Sequence, residues 1–293
     1  MVHLSRRNAL LATGGAAAMV GAVTGLTGAS AQPRSNLSGY AVNLDCWFRD
    51  VPFEKRFALA RQAGFRTIEF WRARRAPGLD AAVIRRLADE NGLEIDQFAP
   101  EAPRFSDPAL HGELVKMIET TIADARILGC SQFTLVGHHI VDGMTREAMI
   151  AGYTTGLMRI APMLEAAGIT ALVEPFNTVN HLNHLLNGSQ PAYAMVKSVN
   201  SPRIRLLWDF YHMQLEDGDL IQKFKAGFDQ VAYIQIGDVP GRHEPGTGEI
   251  NHANLIHAIR AGGYKGKIGL EFMPLHDNWR SAVKAVAGLD TGG

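Results

Sequence analysis

The sequence predicts an α/β protein of the (β/α)8 barrel class, on three observations. From Gly39 onward, apolar strand-like runs alternate with amphipathic helix-like segments at a short period. The alternation gives eight units in about 255 residues, the size of a closed eight-unit barrel. Five strand candidates carry a carboxylate or an amide near the C-terminal end, where parallel α/β proteins bind ligands. A doubly wound open sheet is the alternative. It would not require eight strands, and no G-x-G-x-x-G follows the first one.

Residues 1–31 stand outside that pattern. Ser5-Arg6-Arg7 precedes an apolar, Ala/Gly-rich run over 9–26, and Ala29-Ser30-Ala31 supplies a small-x-small cleavage pattern. This is the form of a twin-arginine signal peptide, and the expected location is the periplasm. An uncleaved anchor is the alternative, disfavoured because the run is weakly hydrophobic and Gly-rich. Residues 32–38 read as a short tether, and 39–293 as the barrel.

Within the barrel, the expected strands are 40–44, 67–71, 93–98, 132–136, 170–174, 203–209, 231–236 and 267–272. The expected helices between them are 53–63, 81–91, 110–128, 146–167, 191–199, 220–226 and 251–261, and a last helix over 278–287 closes the chain. Gly64, Gly92, Gly129, Gly168 and Gly262 stand where helix C-caps are wanted, and Asn251 where an N-cap is wanted.

Composition sets bounds. The 293 residues carry zero formal net charge, with 46% apolar and 20% charged content. That leaves ample core and no electrostatic case for nucleic acid. The two cysteines, Cys46 and Cys130, lie near opposite ends of the expected sheet, so two separate buried thiols are expected rather than a disulfide.

The stretch 231–251 is the most informative. Its strand is apolar apart from Gln235, and a buried amide needs hydrogen-bond partners or a metal. Its loop holds Asp238, Arg242, His243, Glu244 and Glu249 among turn glycines, a pattern that a merely solvated loop would also show. Strands five to eight are consecutive, so Glu174, Asp209, Gln235 and Glu271 should converge on one side of the barrel mouth. Three carboxylates that close repel one another unless a cation joins them. Oxygen ligands favour one hard divalent ion: Mg2+ or Mn2+, with Co2+ as a third option. The competing reading is that each acid caps a loop or pairs with an arginine.

Several motifs resemble those of the sugar isomerase/epimerase (xylose isomerase-like) TIM barrels, and within them the hydroxypyruvate isomerase family. They are Gly64-Phe65-Arg66-Thr67-Ile68-Glu69-Phe70, Glu174-Pro175-x-Asn177, Asp209-x-Tyr211-His212-Met213-Gln214 and the long run from Gln235 to Asn251. The resemblance implies a metal set of Glu174, Asp209, Gln235 and Glu271. It makes Glu174 and Glu271 the acid/base pair, with His212 and Arg242 on the substrate. Related epimerases have a histidine where Gln235 stands. Glu69, ending strand two, and His138, in the loop after strand four, are added as substrate-side candidates. The implied activity is isomerisation of a small hydroxy-carbonyl compound through an enediolate. A sugar 3-epimerase and a 3-keto-glycoside lyase are alternatives on the same site. The family usually has Asp-Ile-Pro-Gly after Asn177; here 178–185 replaces it.

Two other functional classes compete with this reading. An endonuclease-IV-type phosphodiesterase would want more histidine ligands and a basic face. An exported sugar-binding protein would not need intact carboxylates. The expected partner is a small carbonyl or sugar substrate. No nucleic acid is expected, and no membrane once the signal is cleaved; a homo-oligomer stays open.

Overall fold

Eight parallel strands close on themselves in chain order. The structure, a computed structural model, describes residues 37–289. The expected signal peptide, nearly all of the expected tether and the last four residues lie outside the described residues.

The strands are β1 (Tyr40–Asn43), β2 (Thr67–Phe70), β3 (Glu94–Phe98), β4 (Gln132–Leu135), β5 (Thr170–Val173), β6 (Ile204–Asp209), β7 (Val231–Ile236) and β8 (Ile268–Leu270). Closure is made by β1 and β8, which pair through Tyr40 with Ile268 and Val42 with Leu270. The helices are α1 (Phe53–Ala63), α2 (Ala81–Glu90), α3 (His111–Leu128), α4 (Arg146–Ala167), α5 (Ser189–Val199), α6 (Phe210–Glu216), α7 (Leu220–Gly227), α8 (His252–Ala261) and α9 (Trp279–Ala287).

Most expected elements are in place, and the differences have local causes. α6 was not expected, because Phe210-Tyr211-His212-Met213 reads as the continuation of an apolar strand. The Asp209 carboxylate accepts the Tyr211 N–H at 2.9 Å and so starts a helix directly at the strand end. Trp71 lies past β2 rather than in it; its N–H goes to Asp45 Oδ2 at 2.7 Å, out of the sheet ladder. Gly262 is not a left-handed cap, with φ −70°, and the positive φ of 98° falls on Gly263. Asn251 caps α8 as expected, accepting from Asn254 N at 3.1 Å. Both cysteines are free; Cys46 is buried, but Cys130 is only half-buried. Burial raises both thiols, Cys130 to about 12.

The main core lies between strands and helices, where residues such as Trp47, Phe57, Phe98, Phe133, Tyr153 and Trp208 are fully enclosed. Leu172, Leu207 and Tyr233 form a second, separate buried cluster on β5, β6 and β7. This is the alternation a closed barrel imposes: one face of each strand meets the helices and the other fills the interior. No helix among the described residues is long and apolar enough to cross a membrane.

Candidate active site

The acids reach one end of the barrel because of where the strands stop. Asp209 is the last residue of β6, while Glu174 and Glu271 each follow directly on the last residue of β5 and β8. Gln235 pairs in register with Asp209 on one side and with Gly269 on the other. All four side chains are almost fully buried: Glu174 is 6% exposed, Asp209 0%, Gln235 2% and Glu271 7%.

Arg242 enters this cluster from the β7–α8 loop. Its Nη2 lies 2.5 Å from Asp209 Oδ2 and 3.3 Å from Glu271 Oε2, and its Nε donates to the Glu271 carbonyl at 3.0 Å. The loop that aims it is organised by Asp238. One carboxylate oxygen of Asp238 accepts from Val239 N and Ile250 N; the other accepts from Gly246 N and Gly248 N. A Cβ on Gly248 would lie 2.0 Å from the Val239 carbonyl oxygen, so only glycine fits there. The loop charges thus divide. Asp238 is a structural hub, Glu244 pins Leu275 N at 2.7 Å, and Arg242 alone reaches the acids.

One guanidinium does not balance three carboxylates. Burial, then Glu271 and Asp209, raise the Glu174 carboxyl well above its ordinary range. Burial also raises Asp209, against the pull of Arg242, and lifts Glu271 to about 7. The cluster lacks positive charge.

His212, on α6, stands beside them, its Nε2 3.5 Å from Asp209 Oδ2 and 3.7 Å from Glu174 Oε1. Burial and Arg242 hold its pKa well below the usual value, so the ring is neutral. Its tautomer follows from Asn177. The Asn177 amide oxygen accepts from Val179 N and Asn180 N, which turns the NH2 toward His212 Nδ1 at 2.6 Å. Nδ1 therefore accepts, and Nε2 carries the proton. The face His212 turns to the acids is a donor.

The residues fit a divalent ion. Carboxylate oxygens of Glu174 and Asp209 lie within 4.8 Å of each other, a spacing one ion can bridge. Gln235 Oε1 is buried and has no hydrogen-bond partner. An orphaned amide oxygen beside charge-deficient carboxylates is the hard donor set that Mg2+ or Mn2+ takes. The His212 proton on Nε2 favours Gln235 over His212 as the neutral ligand.

A family model described as a xylose isomerase-like TIM barrel matches residues 57–288. The chain belongs to that family. Its curated relatives include the 2-oxo-tetronate isomerase of Cupriavidus necator, 30% identical over 243 residues, which cover 80% of this chain and 92% of that one. The hydroxypyruvate isomerase of Escherichia coli is 29% identical over 80% of this chain and 93% of its own. The solved structure of an "AP endonuclease, family 2" from Brucella melitensis superposes with a TM-score of 0.79 at 30% identity, over 86% of this chain and 98% of that one. An L-ribulose 3-epimerase shares the fold, with a TM-score of 0.70 at 23% identity. By this kinship the chain is an isomerase-type barrel enzyme.

Two residues expected at the substrate, Glu69 and His138, are buried and engaged by protein partners. Glu69 is fully buried and accepts four side-chain hydrogen bonds, so no oxygen is left for a substrate. His138 is also fully buried. Its Nε2 bonds the Glu174 carbonyl at 2.9 Å and its Nδ1 receives Leu186 N at 3.4 Å, so it braces the strand end that carries Glu174. Burial lowers its pKa to about 4.

Sequence reasoning missed Asn177 as the residue that sets the His212 tautomer, although Glu174-Pro175-x-Asn177 was noted as a motif. It also missed Trp71, whose Nε1 donates to Glu271 Oε1 at 2.8 Å while the side chain stays 44% exposed. The replaced loop 178–185 lies against the site. His181 stacks on Phe176 at 4.2 Å, and its ring centre is 5.2 Å from that of His212. His184 sits over His139, at 4.2 Å between ring centres.

Proposed function

We propose that this protein is a metal-dependent isomerase of a small α-hydroxycarbonyl compound, of the hydroxypyruvate or 2-oxo-tetronate kind, acting after export to the periplasm. The observation that carries the chemistry is the convergence of two buried glutamates, Glu174 and Glu271, whose pKa values burial raises so that one can hold a proton while the other, ionised, takes one, around one donor histidine and one arginine. Glu174, Asp209, Gln235 and Glu271 would hold the ion. A bound divalent ion supplies Lewis-acid polarisation of the substrate carbonyl and its neighbouring hydroxyl.

The side chains do the rest. One of Glu174 and Glu271 removes the proton from the hydroxyl-bearing carbon. The C–H electron pair becomes the C=C bond of an enediolate, and negative charge moves to the former carbonyl oxygen. The other glutamate returns a proton to the adjacent carbon, while the hydroxyl proton passes from its oxygen to the former carbonyl oxygen, and the carbonyl is thereby relocated. The His212 Nε2–H donates to a substrate oxygen, and Arg242 holds its Asp209 and Glu271 contacts while facing an acidic group of the substrate. Trp71 fixes the Glu271 carboxylate and walls the mouth.

A nuclease reading finds little support. The chain is neutral, His138 is committed to backbone partners, and His212 presents a proton rather than a lone pair.

The test is turnover in D2O with added Mn2+ on hydroxypyruvate, ketohexoses and 3-keto-glycosides. Solvent deuterium should appear on the carbon next to the product carbonyl. Glu174→Gln and Glu271→Gln should each lose about 10²–10⁴-fold in turnover. If neither variant is impaired and no deuterium enters under multiple turnovers, the two-glutamate mechanism is wrong. Epimerised ketohexose or an eliminated 3-keto-glycoside as the main product would move the assignment to the alternatives.

A further inference from the structure

Glu69 is a carboxylate buried inside the barrel of a site already rich in negative charge. Its Oε1 accepts from Asn43 Nδ2 at 3.0 Å and Gln235 Nε2 at 2.9 Å. Its Oε2 accepts from Gln97 Nε2 at 3.1 Å and the Tyr233 hydroxyl at 2.7 Å. The donors come from β1, β3 and β7. Thr134 Oγ1 donates to Gln97 Oε1 at 2.9 Å, which fixes that amide with its NH2 toward Glu69. Each oxygen thus has two donors, the full capacity of a carboxylate.

The barrel wall is shaped for this group. A Cβ on Gly269 would lie 2.6 Å from Glu69 Oε2 and 2.8 Å from Gln235 Cγ. Any other residue on β8 at that place would push Glu69 and Gln235 apart.

A charge here needs a reason. Burial raises the Glu69 pKa, and the four donated hydrogen bonds pull it back toward the charged form. A neutral amide at position 69 would fill the same space. An ionised carboxylate differs in one respect: it only accepts, so every neighbour must turn a donor toward it. For Gln235 that settles which end of the amide faces which way. Its NH2 is held by Glu69, and its oxygen is the orphaned atom turned away from it.

We propose that Glu69 is a positioning residue that locks the Gln235 amide with its oxygen, not its NH2, toward the metal site. This rests on the metal-dependent reading above. A glutamine at position 69 would offer both a donor and an acceptor. Gln235 could then flip and present NH2 to the cation, a face that repels it. Outer partners that orient metal ligands in this way typically govern about 10–100-fold of metal affinity.

The test is Mn2+ binding to the full chain, followed by the electron paramagnetic resonance of free Mn2+, with fold checked by circular dichroism. Glu69→Gln should weaken binding by about 10–100-fold. Tyr233→Phe removes a donor from the same carboxylate without touching Gln235; it should lower the melting temperature yet leave Mn2+ affinity within a few-fold. In a Gln235→Leu background, Glu69→Gln should cost no further affinity, because the group it orients is gone. A merely structural Glu69 would instead weaken binding equally in both backgrounds, which overturns the proposal. So does wild-type affinity in Glu69→Gln. If that variant fails to fold, Glu69→Asp carries the test: it withdraws the carboxylate by one methylene and should also weaken Mn2+, and unchanged affinity refutes the role. Wild-type protein that binds no Mn2+ overturns the metal reading itself and this role with it. Tight wild-type binding unaffected by Glu69→Gln overturns this role alone.

Discussion

Chelated protein should lose stability as the pH rises through neutrality, and a divalent ion should abolish the loss. Burial lifts the Glu271 carboxyl from about 4.5 to about 7, even against the attraction of Arg242. Between those values the folded protein keeps a proton that the unfolded chain has released. The stabilisation is therefore fully present below about pH 4.5 and is lost as the pH rises through about 7. Glu271 alone accounts for about 3 kcal/mol over the whole window, of which about 2 kcal/mol falls between pH 5.5 and pH 8. For a chain of this size that is roughly 4–8 °C in melting temperature. Asp209 and Glu174 are raised as well, so they steepen the fall.

The assay is thermal or urea unfolding at those two pH values, in EDTA and in excess Mn2+. In EDTA the higher pH should be the less stable. With Mn2+ the order should vanish or reverse, because ionised ligands bind the ion and deprotonation then favours the complex. Glu271→Gln should flatten the EDTA profile by about its own share. Equal stability at both pH values in EDTA, for wild type and Glu271→Gln alike, would refute the reasoning. It would mean that Arg242 alone balances the acids and that the cluster has no unmet need for a cation.

Asp209→Ala should abolish Mn2+ binding and, because Asp209 also caps α6, should cost about 1 kcal/mol of stability in chelator; calorimetric titration and urea unfolding check the two effects. Asn177→Asp puts an acceptor opposite His212 Nδ1 in place of the NH2 now 2.6 Å away. The imidazole should then take a proton at Nδ1, visible in its 15N resonances, and turnover should fall by about 10²-fold or more. Replacing Arg6 and Arg7 together by lysine should leave the precursor in the cytoplasm, as cell fractionation would show; normal export would exclude a twin-arginine signal.

The barrel and its mouth were legible because two periodicities carry them. Apolar runs of strand length recur between amphipathic segments, and acids interrupt those runs only near their ends. Depth within the barrel was not legible. Glu69, Asp209 and Glu271 all read as acids closing a strand, yet Glu69 lies one residue inside β2, Asp209 ends β6 and Glu271 follows β8. At about 3.3 Å per residue along a strand, two positions separate a candidate site group at the strand end from one sealed beneath it. The partners that reveal the difference, Asn43, Gln97, Tyr233 and Gln235, lie 26 to 166 residues away in sequence. Asn177 escaped for a related reason: what it does depends on an imidazole 35 residues later, brought to it by a helix that no apolar pattern announced. An acid in a strand motif therefore names a candidate, and its hydrogen-bond donors decide the role. A carboxylate with all of its lone pairs filled by side chains, as in Glu69, orients other groups, whereas Glu174 and Glu271, whose pKa values burial raises, are the candidates for moving a proton under the proposed mechanism.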